Sequence, residues 1–150
     1  EDGIRYYSGT ATYSKTIEIA EDLLNQGHPL YLDLGRVEVM ASVNLNGKEL
    51  GIAWKRPFRI AIADAAKPGA NAVVMRVVNL WPNRMIGDEH LPPDSERNSN
   101  GTLIRWPQWM LENKASPTGR YTFATWRHWT ADAPLIPSGL LGPLTLLREE

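Results

Sequence analysis

Thr10-Ala11-Thr12-Tyr13-Ser14-Lys15-Thr16-Ile17-Glu18-Ile19 alternates polar and apolar residues with a period of two. The even positions are all polar, and the odd ones are apolar except Lys15. Only an extended chain sends alternate side chains to opposite faces, so this stretch predicts a strand with one face buried. The rhythm recurs at Leu30, Leu32 and Leu34, with Tyr31 and Asp33 on the other face, and again at Val37, Val39, Ala41, Val43 and Leu45. Asn46-Gly47 tolerates positive φ and predicts a hairpin into Lys48–Ala53. Pro68-Gly69 reads as a turn, and Ala72–Leu80, apolar at nearly every position, predicts a strand covered on both sides.

Beyond this the pattern changes. No period persists between Pro82 and Gly119, and turn formers are frequent. Loops of that length without structure of their own are uncommon and usually functional. Trp106, Trp109, Met110 and Leu111 predict a short helical turn, so the segment reads as an ordered insertion over residues 82–119. Strand-like sequence is expected to resume at Tyr121–Trp126 and at Gly142–Arg148. Eight or nine short strands with one long insertion predict an all-β fold, an antiparallel jelly-roll β-sandwich, as a single domain over residues 1–150.

Composition narrows the function classes. The chain is 43% hydrophobic, which is globular, and its 16 basic and 17 acidic residues nearly cancel. That balance argues against nucleic acid or an acidic membrane surface as the main partner. No apolar run approaches the roughly 20 residues needed to span a bilayer. The absence of cysteine excludes a disulfide scaffold and a thiolate metal site. The chain opens Glu1-Asp2-Gly3-Ile4, with no Met and no signal pattern, and reaches strand-like sequence almost at once; a piece cut from a longer polypeptide is expected.

Tryptophan is over-represented, with six against two Phe, and five of the six fall between 81 and 129. For Trp106 and Trp126, beside apolar neighbours, packing of the insertion is expected. Asn79–Glu89 has a different mixture, placed where a strand exits into a loop: an indole beside Asn, Arg, Asp and Glu. Aromatics with a few convergent polar groups describe a ligand cleft, and Trp with Arg also anchors protein interfaces. The candidate surface, for carbohydrate or for a neighbouring domain, is therefore Trp54, Arg56, Trp81, Asn83, Arg84, Asp88 and Glu89. In it Trp54 and Trp81 would stack or dock. Arg84 would fork onto a carboxylate or paired hydroxyls, and Asp88 and Glu89 would accept hydroxyl hydrogens.

Catalysis is not expected from this chain. Glycoside hydrolysis needs two carboxylates flanking the scissile bond, and the candidates Asp88, Glu89, Asp94 and Glu96 all lie in a Pro-rich loop where acidic residues are ordinarily solvated. Nothing resembles a nucleophile elbow, a phosphate-binding loop or a zinc-type His pair, and His28, His90 and His128 are scattered. Asn100-Gly101-Thr102 matches a glycosylation acceptor, a tripeptide common by chance. No metal or cofactor is indicated: Asp2, Asp33, Asp64 and Asp88 lack EF-hand spacing, although a structural calcium held by loop carbonyls would leave no trace.

Several segments resemble known sequence. Gly3–Tyr13, Leu32–Val37, Val43–Gly47 and Asn79–Glu89 are similar to the galactose-binding-like β-sandwich of large glycoside hydrolases, a module related to family 2 sugar-binding-type domains. Thr122–Trp126 and Pro137–Pro143 resemble the C-terminal sandwich of α-L-rhamnosidases of the family 106 type, so that the likeness runs from Gly3 to Leu147. The resemblance implies a domain that flanks a separate catalytic barrel, which supplies the acid and base. It also implies carbohydrate, the catalytic domain of the same polypeptide, or both as partners, and a periplasmic or extracellular enzyme of a bacterium degrading plant polysaccharide. A purely structural bracing module is the alternative it leaves open.

Overall fold

The computed structural model describes residues 2–24 and 27–149. Its contacts group into two compact units, Gly9–Asn79 with Pro137–Glu150 and Glu1–Ser8 with Leu80–Ile136. Helices are few and short: α1 (Asp2–Arg5), α2 (Glu21–Leu24), α3 (Pro82–Asp88) and α4 (Gln108–Leu111). Among the described residues none is long and apolar enough to cross a membrane.

The first unit is the antiparallel β-sandwich expected. It comprises β1 (Gly9–Ile19), β2 (Leu30–Asp33), β3 (Arg36–Glu38), β4 (Met40–Leu45), β5 (Lys48–Ala53), β6 (Arg59–Ala61), β7 (Gly69–Asn79), β8 (Gly139–Gly142) and β9 (Thr145–Arg148). They form sheets ordered β1-β7-β4-β5 and β6-β2-β9, with β3 and β8 as a further pair. β1 keeps its period: the even positions are exposed, and the odd ones are covered apart from Lys15. It pairs with β7 along its full length, from Gly9 opposite Asn79 to Ile19 opposite Gly69. The inner faces meet in one core. Ala41, Val43 and Leu45 of β4 and Val73, Met75 and Val77 of β7 pack with Leu30, Leu32, Leu34, Phe58 and Ile62. Each large apolar side chain so buried contributes about 1.5–3 kcal/mol, and this term holds the sheets face to face.

Two strand expectations are corrected. Val37 to Leu45 is not one strand, because β3 pairs with β8 while β4 pairs with β5 and β7. The chain passes from one pairing to the other at Val39, whose side chain is exposed, unlike its neighbours in the pattern. β7 lies centrally in its sheet, yet only one face is buried: Ala72 and Arg76 are exposed and Val74 and Val78 half-covered. Its β-branched outer residues suit the pleat without being buried.

The predicted hairpin forms, with Asn46 at φ 53° and Gly47 at φ 88°. The Asn46 amide donates to the Ala65 carbonyl (2.9 Å) and to Asn71 Oδ1 (2.7 Å). Asn71 is fully buried and donates in turn to the carbonyls of Lys67 and Gly69, so the Pro68-Gly69 turn is tied to the hairpin. A second corner lies at Gly35 (φ 64°), where a Cβ would sit 2.5 Å from the backbone of Gly142 and Pro143. Only glycine fits there. The Leu32–Val37 and Pro137–Pro143 segments of the resemblance therefore meet in space.

The second unit holds α1, α3, α4 and long irregular stretches. The helical turn expected around Trp109 is α4. Two further expectations change. Part of Asn79–Glu89 is the helix α3, opened by Pro82, whose missing N–H costs nothing in a first turn. Tyr121–Trp126 is not a strand; its only ladder contact is an isolated bridge from Trp126 to Thr102. The irregular chain thus continues well past Gly119, and regular pairing returns at β8.

Candidate functional site

The i,i+4 spacing on α3 sets Arg84 and Asp88 on one face. Asp88 is 1% exposed. Its Oδ1 accepts from Arg84 Nε (3.0 Å) and Nη2 (2.8 Å). Its Oδ2 accepts from the Tyr121 and Thr122 amides (2.8 and 2.7 Å) and from the Thr122 hydroxyl (2.8 Å). The Arg84 guanidinium lies 4.8 Å over the Tyr121 ring. Asn83 is buried as well, donating to the Ile136 carbonyl and accepting from the Ile136 amide. Asn83 and Asp88, expected on a binding surface, are thus interior groups. An irregular chain still needs partners for its backbone N–H and C=O groups, and here the side chains of α3 provide them. Arg84 does fork onto a carboxylate, but within the unit.

Glu89 follows directly and is clamped by cations. Its Oε1 accepts from Arg120 Nη1 (2.9 Å), and its Oε2 from Arg127 Nε (2.8 Å) and Nη2. Arg120 also donates to the carbonyls of Pro92 and Leu91, both at 2.9 Å. Arg97 donates to the Gly101 and Ala124 carbonyls. Burial pulls its guanidinium below the ordinary arginine value, opposed by the charges of Glu89 and Asp94. A cavity of about 240 Å³ opens between Glu89, Pro93, Ser95, Arg97, Arg120 and Arg127. None of these arginines carries a local sequence signal, since they converge from distant positions along irregular chain.

Pro93 and Ser95 also line a larger groove of about 920 Å³, walled by Asp94, Glu96, Arg105, Trp106, Gln108 and Trp109. Phe123 sits between the two indoles, 5.8 Å from Trp106 and 5.8 Å edge-on from Trp109. Trp109 Nε1 donates to the Asp94 carbonyl (2.9 Å), which fixes that ring. Trp106 and Trp126 were expected to be packed, but they are 54% and 49% exposed. Phe123 takes the covered position against Trp106, leaving that indole open to solvent. The Trp106-Pro107-Gln108-Trp109 spacing, which places one indole just ahead of a short helical turn and the other within it, is the signal that could have marked the groove.

The other expected residues fall in two places. Trp81 is 58% exposed and borders a hollow of about 390 Å³ with Met85, Tyr121, Thr122 and Phe123. Trp54 and Arg56 belong to the sandwich unit, both exposed, with the Lys55 ammonium 5.5 Å from the Trp54 ring. Among the described residues no three His, Asp or Glu side chains gather as a metal site. Asp33 and Asp88 are engaged by arginine and backbone donors, and the Asp2 side chain lies outside the described residues.

No family model matches the chain. A curated protein of Formosa agariphila, named "Putative beta-glucuronidase", is 48% identical over 146 residues, covering 97% of this chain and 12% of that protein. The structure of a rhamnosidase from Novosphingobium sp. PP1Y matches with a TM-score of 0.72 and 36% identity, over 99% of this chain and 12% of that one. The chain therefore spans about an eighth of the length of either. Over nearly its whole length it is related to a domain-sized segment of a larger glycoside hydrolase, as the resemblance of its sequence implies.

Proposed function

We propose that this chain is a non-catalytic accessory domain of a larger glycoside hydrolase acting on plant polysaccharide outside the bacterial cytoplasm, and that it holds carbohydrate in the groove beside Trp106. The groove itself carries the reading. An exposed indole offers a flat apolar face to the C–H face of a pyranose, while Glu96, Arg105 and Gln108 around it can exchange hydrogen bonds with hydroxyls. Its volume is of the size that small-molecule sites have, roughly 300–1,000 Å³.

Three of the four candidate carboxylates support the non-catalytic half. Both oxygens of Asp88 and of Glu89 already accept hydrogen bonds from fixed donors, and Glu96 is paired with Arg105. A general acid must present a proton to the leaving oxygen, and these groups face guanidinium or amide donors instead. The relatives are some eight times longer, which leaves ample chain for a separate catalytic domain.

A second reading, a bracing module docked on a neighbouring domain of the same polypeptide, is favoured by the exposed Trp54 and Trp81. Two measurements separate these readings. The chain should not hydrolyse aryl α-L-rhamnosides or aryl β-D-glucuronides; turnover lost on Glu89→Gln would overturn the non-catalytic reading. Rhamnose-containing oligosaccharides should shift its tryptophan fluorescence saturably, and Trp106→Ala should remove most of that shift. No shift with any oligosaccharide leaves the bracing module as the better account.

A further inference from the structure

The arginine cavity and the Trp106 groove adjoin, with Pro93 and Ser95 lining both. Three guanidinium groups border the cavity and a single carboxylate, Glu89, offsets them, which leaves two positive charges in excess. Counting Asp94 on the groove side reduces the excess to one. Arg120 donates from Nε, Nη1 and Nη2 within the unit. Arg127 donates from two nitrogens. Its Nε and Nη2 hold Glu89, its side chain is 51% exposed, and Nη1 makes no hydrogen bond among the described residues. Arg97 likewise spends Nη1 and Nη2 on carbonyls and leaves Nε over. Guanidinium donors held in place by other bonds, beside excess positive charge, are suited to a carboxylate or a sulfate ester.

From this we infer that the groove takes an acidic glycan: a pyranose lies on Trp106 while its carboxylate or sulfate group enters the cavity toward Arg127 and Arg97. The inference deepens the carbohydrate reading of the same groove and rests on it. Glu96 and Arg105 pair with each other across the groove residues and add no net charge, so the acidic group is drawn to the arginine end. The attraction is electrostatic and partly exposed, and salt should weaken it.

The test compares D-glucose, D-glucuronate and glucose 6-sulfate, which share a ring and differ at C6, with inorganic sulfate as a further arm. Indole N–H resonances of the 150-residue chain are followed by NMR, each tryptophan being assigned by its Phe variant. Trp106 and Trp109 should shift saturably with glucuronate or glucose 6-sulfate at concentrations about tenfold below those needed with glucose, the scale of one charge-assisted hydrogen bond. The preference should shrink in high salt and in Arg127→Gln, a variant of an exposed side chain. The two acidic sugars separate a planar carboxylate from a tetrahedral sulfate. Equal binding of glucose and both acidic sugars by Trp106 overturns the acidic-glycan inference and leaves the groove reading standing. Inorganic sulfate matching glucose 6-sulfate overturns it too, since the ring then adds nothing. If no sugar moves Trp106 or Trp109, the groove reading itself fails. The wild-type comparison decides even if Arg127→Gln does not fold.

Discussion

Asp88 gathers five hydrogen bonds on two oxygens while being almost wholly buried, and all of its donors come from its own unit. Removing it would leave the Arg84 guanidinium, two amides and a hydroxyl without an acceptor. Breaking such a buried pair costs about 3–5 kcal/mol, so Asp88→Ala should lower unfolding stability by that order. Asp88→Asn should fall between, because its amide must oppose one of the donors. Urea unfolding followed by tryptophan fluorescence measures both; a loss below about 1 kcal/mol for the alanine variant would show that the network is not what orders this chain. At this scale the sequence displayed the right chemistry in the wrong place. The i,i+4 pair Arg84 and Asp88 is visible in one dimension, but its burial depends on Tyr121 and Thr122, more than thirty residues later.

Among the elements, the corner between β2 and β3 shows how a strand end is fastened. Asp33 accepts from the Gly35 amide (2.8 Å) and from Arg59 Nε of β6 (2.7 Å). The Arg59 hydrogen bond, then the Gly35 amide, hold its carboxyl below the ordinary 3.8. A depressed folded-state value means that this contribution is complete above the unfolded-state value and is lost as pH falls through the folded one. Thermal melts between about pH 5 and about pH 2 should therefore show the wild type losing more midpoint than Asp33→Asn. Parallel loss in the two proteins would remove Asp33 from the account. Local patterns announced β1, the Asn46-Gly47 hairpin and α4, since period and turn chemistry act within a few residues. They did not announce the break at Val39, which arises because β3 and β4 find different partner strands. Nor did they exclude a strand at Tyr121–Trp126, where the amides of Tyr121 and Thr122 turn to the Asp88 carboxylate instead of a neighbouring strand.

For the whole molecule, two kinds of order should be distinguishable by hydrogen exchange. In the sandwich unit β7 is bonded on both sides, by β1 and β4, over a core of fully buried side chains. Its amides and those of β4 should exchange most slowly. In the other unit regular ladders are almost absent, and protection should be low across the irregular chain except where a buried side chain holds the amide, at Tyr121 and Thr122 by Asp88 and at Ile136 by Asn83. Amides at 121 and 122 exchanging as fast as the loop around them would contradict that assignment.

By itself the sequence determined the antiparallel sandwich, because period-2 alternation and turn residues leave an extended chain few alternatives, and the likeness to a segment of larger glycoside hydrolases. Only the tertiary structure decided which polar residues face solvent. It drew Asn83 and Asp88 inward and closed Arg120 and Arg127 on Glu89. It also left Trp106 and Trp126 outside, where packing had been expected. The sequence displays the clustering of the tryptophans along the chain, but each ring's exposure depends on which partner fills the space beneath it. That partner comes from distant, irregular chain with no period to reveal it.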